Sequence, residues 1–359
     1  MQFDRNPGPL AAGDKPYEAT RMFQEAAQAP SAVRSQLLAN APSMRRLGES
    51  LRALRPTAVV TIGRGSSDHA ATFAKYLIET RLGIVTASGA PSVSSLYAST
   101  PGMEGSVCLA ISQSGRSPDL LSAVAGAKAA GAYVIALVNA GGAPLSDLAD
   151  ETVPLHAGPE LSVAATKSYI TALSAIAQLV AAWSEDEDLT DGLEALPDHL
   201  EAAWTLDWTP ALEHLAPASN LYAIGRGLGF TIAQEAALKF KETCGLHAEA
   251  FSAAEVRHGP MALVHKGFPV LVFSQDDESR TGVEALVDEL AARRADVMLA
   301  SASPPARANV LHLPSLPAHP ALQPVLHAQS FYRLVNQAAA ARGYDPDHPP
   351  SLSKVTETL

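Results

Sequence analysis

The sequence predicts an α/β protein made of two duplicated, doubly wound parallel-sheet domains and ending in a C-terminal tail. Three observations carry that expectation. Short apolar runs alternate with helical stretches, the pattern of a parallel sheet covered by helices on both faces. The tetrapeptide Ile-Gly-Arg-Gly occurs twice, beginning at Ile62 and at Ile224, 162 positions apart. The same offset carries Ile111–Ser117 onto Phe273–Ser279 without a gap and Val134–Leu137 onto Asp296–Leu299. One register shared by three successive strands points to an internal duplication.

Size and charge bound the function. At 359 residues, 47% apolar and 18% charged, the chain can bury a sizeable core and suits two domains. The net charge of −11 comes without a basic stripe, so nucleic acid is not an expected partner. Two cysteines, Cys108 and Cys244, are too few for a disulfide framework. The first twenty residues hold no apolar signal segment. No apolar run approaches the roughly 18 residues that span a membrane. The expectation is a cytoplasmic protein with no membrane partner.

Taken in order, residues 1–16 are rich in Gly, Pro and charge. Tyr17–Ala29 and Ala32–Leu54 read as helices separated at Pro30. Ala58–Ile62 is a strand, followed by the loop Gly63–Asp68 and a helix from about His69 to Leu82. Val107–Ile111 is a strand and Leu120–Ala130 a helix. Small residues from Glu160 to Ser168 precede a long apolar helix to Trp183. The acidic run Ser184–Asp188 marks solvated surface near the linker. The second copy begins with the strand Leu221–Ile224, the loop Gly225–Gly229 and a helix to about Glu242. The layout is an N-terminal helical segment (1–44), a first sheet domain (45–195), a second (196–345) and a tail (346–359).

Ligands of doubly wound sheets bind at the carboxyl ends of the strands. In the first copy the loop Ser112-Gln113-Ser114-Gly115-Arg116-Ser117 stands there. Its small polar residues can turn N–H groups and hydroxyls toward one point at a helix N-terminus, where an anion is favoured. The bland alternative is a polar strand-to-helix loop with a capping Ser. The second copy has Asp276, Asp277 and Glu278 in the corresponding places, and three carboxylates would repel a phosphate. Neither Gly-Arg-Gly loop completes a dinucleotide fingerprint, since the last position is Asp68 in one and Phe230 in the other. Ser162 and Thr166 are either ligand contacts or plain helix caps.

In the second half, Glu235, Lys239 and Glu242 share one helical face at spacings of four and three. An exposed salt-bridged face is the commoner reading of such a pattern. The apolar flanks and the following His247-Ala248-Glu249 and Arg257-His258-Gly259-Pro260 argue for a site instead. His258 beside Gly-Pro is placed on a turn, where it can meet a ligand and titrate near neutrality. A buried carboxylate such as Glu242 suits proton transfer.

At these residues the chain resembles the sugar isomerase (SIS) domain family. It is similar in particular to the isomerase half of glucosamine-6-phosphate synthase and to SIS-type glucosamine-6-phosphate deaminases. The matching pieces are Gly65-Ser66-Ser67, Ile111–Gly115, Val163-Ala164-Ala165-Thr166-Lys167, Ala237–Glu242, His247–Glu249, Arg257–Pro260 and Ser353-Lys354-Val355-Thr356, in the family's order over about residues 45–359. The resemblance implies two SIS domains of flavodoxin-like topology. It implies that Ser112, Gln113, Ser114 and Ser117 hold the sugar phosphate, with Gly65, Ser67, Val163 and Ala165 around the sugar. Glu242 would move the proton between C1 and C2, assisted by Lys239. His258 would open the ring from the other subunit of a homodimer. Lys354 would form a Schiff base with the keto sugar, which requires the tail to fold over the site. No cofactor and no metal are implied.

Two departures from the family pattern stand out. Ala165 takes the place of a Ser found in synthases. The synthase's glutaminase segment has no counterpart before Tyr17. The expected reaction is therefore glucosamine 6-phosphate plus water to fructose 6-phosphate plus ammonia. The alternatives are a synthase-like aminotransferase, action on another sugar phosphate, and a non-catalytic phosphosugar sensor.

Overall fold

A computed structural model describes residues 17–97, 99, 101–303, 306–352 and 354. In chain order, α1 (Arg21–Ala27) and α2 (Ala29–Leu54) lead into β1 (Ala58–Ile62), α3 (Ser66–Leu82), β2 (Thr86–Ser88), α4 (Pro91–Ser95), β3 (Ser106–Ser112), α5 (Pro118–Ala129), β4 (Tyr133–Val138), α6 (Pro144–Leu148) and β5 (Glu151–Pro154). Two helices, α7 (Lys167–Ser184) and α8 (Glu187–Thr205), then join the halves. The second half comprises α9 (Leu212–Leu215), β6 (Asn220–Gly225), α10 (Leu228–Cys244), β7 (His247–Ser252), β8 (Pro269–Phe273), α11 (Arg280–Ala292), β9 (Asp296–Ser301), β10 (Val310–Pro314) and α12 (Gln323–Ala341).

The strands form two five-stranded sheets ordered β2-β1-β3-β4-β5 and β7-β6-β8-β9-β10, parallel throughout. The orders are the same once the two copies are matched. The duplication extends to single dihedrals. Gly65 caps α3 at φ 54°, ψ −129°, and Gly227 caps α10 at φ 56°, ψ −128°. A left-handed φ suits a residue without Cβ, so both loops need glycine at that position.

One core runs between the two sheets. It joins Phe73 and Leu77 of α3, Ile170 and Leu173 of α7, Phe240 of α10 and Phe331 of α12. Two smaller cores cover the outer faces, under α5 in one half and under α11 in the other. Fifteen of the eighteen residues of α7 are buried, as an all-round apolar helix requires. The halves therefore share a helical layer, and α3 packs against α10 within it.

Three boundaries differ from the sequence reading. The helix expected to start near His69 starts at Ser66, because Gly65 completes the turn and leaves the next residues free to open the helix. The helix α2 runs unbroken across residues 44 and 45, with Pro30 in its first turn and Pro42 inside it. The residue pair 195 and 196 likewise lies inside α8. Residues 1–16 of the N-terminal segment, and Ser353, Val355 and Thr356 of the tail motif, lie outside the described residues. Among the described residues no helix is long and apolar enough to cross a membrane.

Candidate active site

The carboxyl ends of β1 and β3 open on a cavity of about 510 Å3. Gly65, Ser67, Ser112, Gln113, Ser114, Ser117, Val163, Ala165, Lys239, Glu242 and Lys354 line it. Every residue to which the family resemblance gives a role is thus brought to one place, with the exception of His258, while Glu235, Ser162 and Thr166 lie behind the cavity wall and do not line it. His258 ends an exposed turn, Glu255–His258, after β7, and does not line the cavity. A larger groove of about 740 Å3 lies between α2, α7 and α8, around Leu38, Met44 and Leu193. It holds none of these residues and none of this chemistry.

The loop after β3 builds one end of the cavity. The Ser112 hydroxyl accepts from the Gly115 N–H at 2.9 Å, which curls the loop. Gly115 sits at φ +61°, and a Cβ there would lie 2.7 Å from Ala143 Cβ and 2.8 Å from Val138 Cγ2. Ser117 takes the N-cap position of α5 with no side-chain cap bond. At the mouth, Arg64 is held by the buried Asp119 through Nη2 at 2.7 Å and Nε at 2.9 Å. The N-termini of α3 and α5 meet here, and their free N–H groups favour an anion.

The twin loop in the second half is closed on itself. Gln275 is fully buried and donates to Arg226 O at 2.8 Å, Asp277 Oδ2 at 2.9 Å and Ser279 Oγ at 3.1 Å. Asp276 is paired with Arg280 at 2.6 Å. Two of the three carboxylates expected to repel a phosphate, Asp276 and Asp277, are used to knit their own turn.

The other end of the cavity belongs to α10. The face of Glu235, Lys239 and Glu242 is not the exposed salt-bridged face that such spacing often marks. Glu235 and Lys239 are fully buried. Lys239 Nζ lies 2.6 Å from Glu242 Oε2 and 3.4 Å from Glu235 Oε1, and donates to Ser66 Oγ at 3.1 Å. Burial alone would raise the Glu235 carboxyl, but the Lys239 ammonium, His69 and the Tyr332 hydroxyl outweigh it and hold it at about 2. Burial disfavours the Lys239 ammonium, yet the two carboxylates keep its pKa above the usual value.

The third wall is the segment from Glu160 to Thr166. Thr166 takes the N-cap position of α7 without a side-chain bond of its own. The buried Glu160 supplies the cap instead, accepting from Thr166 N at 3.0 Å and Ser168 N at 3.1 Å. Glu25 of α1 accepts from Leu161 N at 2.5 Å and Ser162 N at 3.0 Å. Lys167 turns away and donates to Gln28 at 2.7 Å. The tail is anchored by Asp347, which accepts from Arg21 N at 2.8 Å and Met22 N at 2.9 Å at the start of α1. From there Leu352 and Lys354 reach the cavity. Lys354 Nζ donates to Ser162 O at 2.6 Å and stands 3.7 Å from Glu160 Oε2.

Sequence reasoning missed Arg64, Ser66, Asp119 and Glu160 as parts of the site. Ser66 and Arg64 adjoin a chosen residue, so their position in the loop was the available signal. Glu160 looked like the start of a loop, and nothing local showed that it would fold back onto a helix six residues on.

Two copies of one α/β unit, with a polar cleft at the strand ends of the first closed by a charged helix from the second, define the class: a duplicated parallel-sheet protein with one polar site between its halves. The chain belongs to the SIS domain family, whose model matches residues 55–182 and 214–341. It is 38% identical over 315 residues to the glutamine–fructose-6-phosphate aminotransferase (isomerizing) of Aeropyrum pernix, covering 82% of this chain and 50% of that protein. The chain spans about half the length of the curated relatives it matches. A solved structure from Silicibacter pomeroyi, reported as a candidate phosphosugar isomerase, is 41% identical with a TM-score of 0.86, covering 91% of this chain and all of that one. The C-terminal domain of glucosamine-fructose-6-phosphate aminotransferase from Francisella tularensis is 27% identical with a TM-score of 0.83, covering 94% and 99%.

Proposed function

We propose that the protein catalyses the isomerising deamination of an amino-sugar phosphate, glucosamine 6-phosphate plus water giving fructose 6-phosphate plus ammonia. The observation that carries this reading is the single cavity with the serine loop at one end and Glu242, Lys239 and Lys354 facing it. Its size lies within the roughly 300–1,000 Å3 of small-molecule sites. The kinship with isomerising aminotransferases supports the same class of chemistry.

In this reading the phosphate rests on Ser112, Gln113, Ser114 and Ser117 and on the two helix N-termini. Glu242 removes the C2 proton of the open-chain amino aldose, giving a 1,2-enolamine, and the proton returns to C1. The resulting C2 imine is attacked by the Lys354 amine, ammonia leaves, and water then releases the ketose and regenerates the amine. Lys239 stabilises the oxygen at C1 as charge develops there. The residue His258 opens the sugar ring from the second subunit of a homodimer.

In this reading nitrogen leaves as free ammonia. The chain's two cysteines, Cys108 and Cys244, are buried, and burial pushes both thiols up to about 12.

The test is ammonia release from glucosamine 6-phosphate with galactosamine 6-phosphate alongside, and borohydride trapping of the sugar on Lys354. Release abolished in Glu242→Gln supports the deaminase. Release from the galacto sugar alone changes the substrate. Turnover of fructose 6-phosphate with an ammonia source, and no release from either amino sugar, makes it a synthase. Tight phosphosugar binding without turnover makes it a sensor.

A further inference from the structure

We infer that His69 is a positioning residue that decides how Lys239 is shared between Glu235 and Glu242. The inference rests on the isomerase reading above. Its basis is a buried junction between the two halves of the chain. Glu235 of α10 is met by three side chains from other elements. Ser66 Oγ and Tyr332 OH donate to Oε1 at 3.0 and 2.9 Å, and His69 Nδ1 meets Oε2 at 2.9 Å.

Glu235 is ionised at neutral pH, so the hydrogen in the last contact must lie on Nδ1. With both oxygens occupied, Glu235 holds Lys239 at 3.4 Å, while Lys239 makes its short 2.6 Å contact with Glu242. The two carboxylates compete for one ammonium, and His69 saturates the wrong one. Without the Nδ1 donor, Oε2 is left buried and bare. A bare buried carboxylate oxygen draws the nearest cation. Lys239 then moves toward Glu235 and leaves the proton-transferring carboxylate without its partner. His69 does not line the cavity and acts only through Glu235.

The test compares two neutral amides that differ only in reach. His69→Asn places an amide nitrogen where Nδ1 stands, whereas His69→Gln carries it one bond further, away from Glu235. Both are assayed as the full chain, by ammonia release and by exchange of solvent deuterium into C1 of fructose 6-phosphate, with melting temperatures recorded.

We expect His69→Asn to keep kcat within about threefold of wild type and His69→Gln to lose about tenfold or more, with KM changed less than threefold in both. Equal kcat in the two variants overturns the inference, as does a loss confined to KM or one that simply follows melting temperature. If His69→Gln does not fold, a tenfold loss in folded His69→Asn overturns it and near-wild-type activity supports it. A wild-type enzyme without ammonia release or exchange would instead remove the isomerase reading, and the role of His69 with it.

Discussion

Lys239 Nζ stands 2.6 Å from Glu242 Oε2, one turn along the same helix, with the lysine fully buried and the glutamate opening on the cavity. That contact fixes where the carboxylate points. The arrangement predicts that Glu242→Gln removes turnover by roughly 100- to 10,000-fold, the range for a general base. Substrate binding should persist, because the serine loop is untouched. Calorimetric titration with fructose 6-phosphate, beside the rate, checks both halves. A variant with wild-type rate would end the assignment.

Lys239 also carries a structural duty. Replacing it with Met leaves Glu235 as a buried charge without its ammonium, held by Ser66, His69 and Tyr332. Breaking one side of a buried pair typically costs about 3–5 kcal/mol. Urea denaturation of Lys239→Met should show a loss of that order. Adding Glu235→Gln should recover part of it, since a neutral amide needs no counter-charge. If the double variant were less stable than the single one by a full additive increment, the pair would not be coupled as described.

These residues also show what a sequence can display. The duplication was visible because three strands kept one offset, and the structure keeps it down to the paired dihedrals of Gly65 and Gly227. The serine loop was visible because strand, small polar turn and helix start are all local signals. The face of Glu235, Lys239 and Glu242 was visible as spacing, but its burial was not. Burial there depends on α3 and α12, whose partners His69 and Tyr332 lie 166 and 97 residues away. Glu25 and Glu160 were hidden for the same reason: each satisfies backbone groups of a loop that its own neighbourhood does not reveal.

Gly115 makes the loop testable without touching a ligand group. Its φ of +61° strains any L side chain, and an added Cβ meets Ala143 and Val138 below 3 Å. Gly83 offers the control, with φ +66° and nothing within 4 Å of an added Cβ. Gly83→Ala should cost only the backbone strain, about 1–2 kcal/mol. Gly115→Ala should add overpacking of about 1–3 kcal/mol and also raise the KM for a sugar phosphate, since the loop must shift. Equal melting temperatures for the two variants would show that the crowding at Gly115 is relieved cheaply.

The acid side of the stability curve has a specific source in His327. This residue of α12 is buried against Phe273, and neither ring nitrogen has a hydrogen-bond partner among the described residues. Burial pushes its pKa down from 6.5 to about 4, only partly opposed by the Asp276 carboxylate. Between pH 6.5 and 4 the unfolded chain holds a proton on this ring that the folded chain refuses. Lowering the pH through that window therefore favours unfolding. The loss is on the order of 3 kcal/mol once the pH is below 4. Glu235 works in the same direction lower down: its carboxyl is held at about 2 when folded, against an ordinary 4.5, so the stability it supplies is lost as pH falls from 4.5 toward 2. Replacing His327 with Leu should leave stability at pH 7.5 changed only by packing and flatten the slope between pH 6.5 and 4. Parallel urea titrations of the two proteins at steps of pH measure that slope directly. A variant curve parallel to wild type across the window would place the acid sensitivity elsewhere, and Glu235→Gln would then be the next comparison.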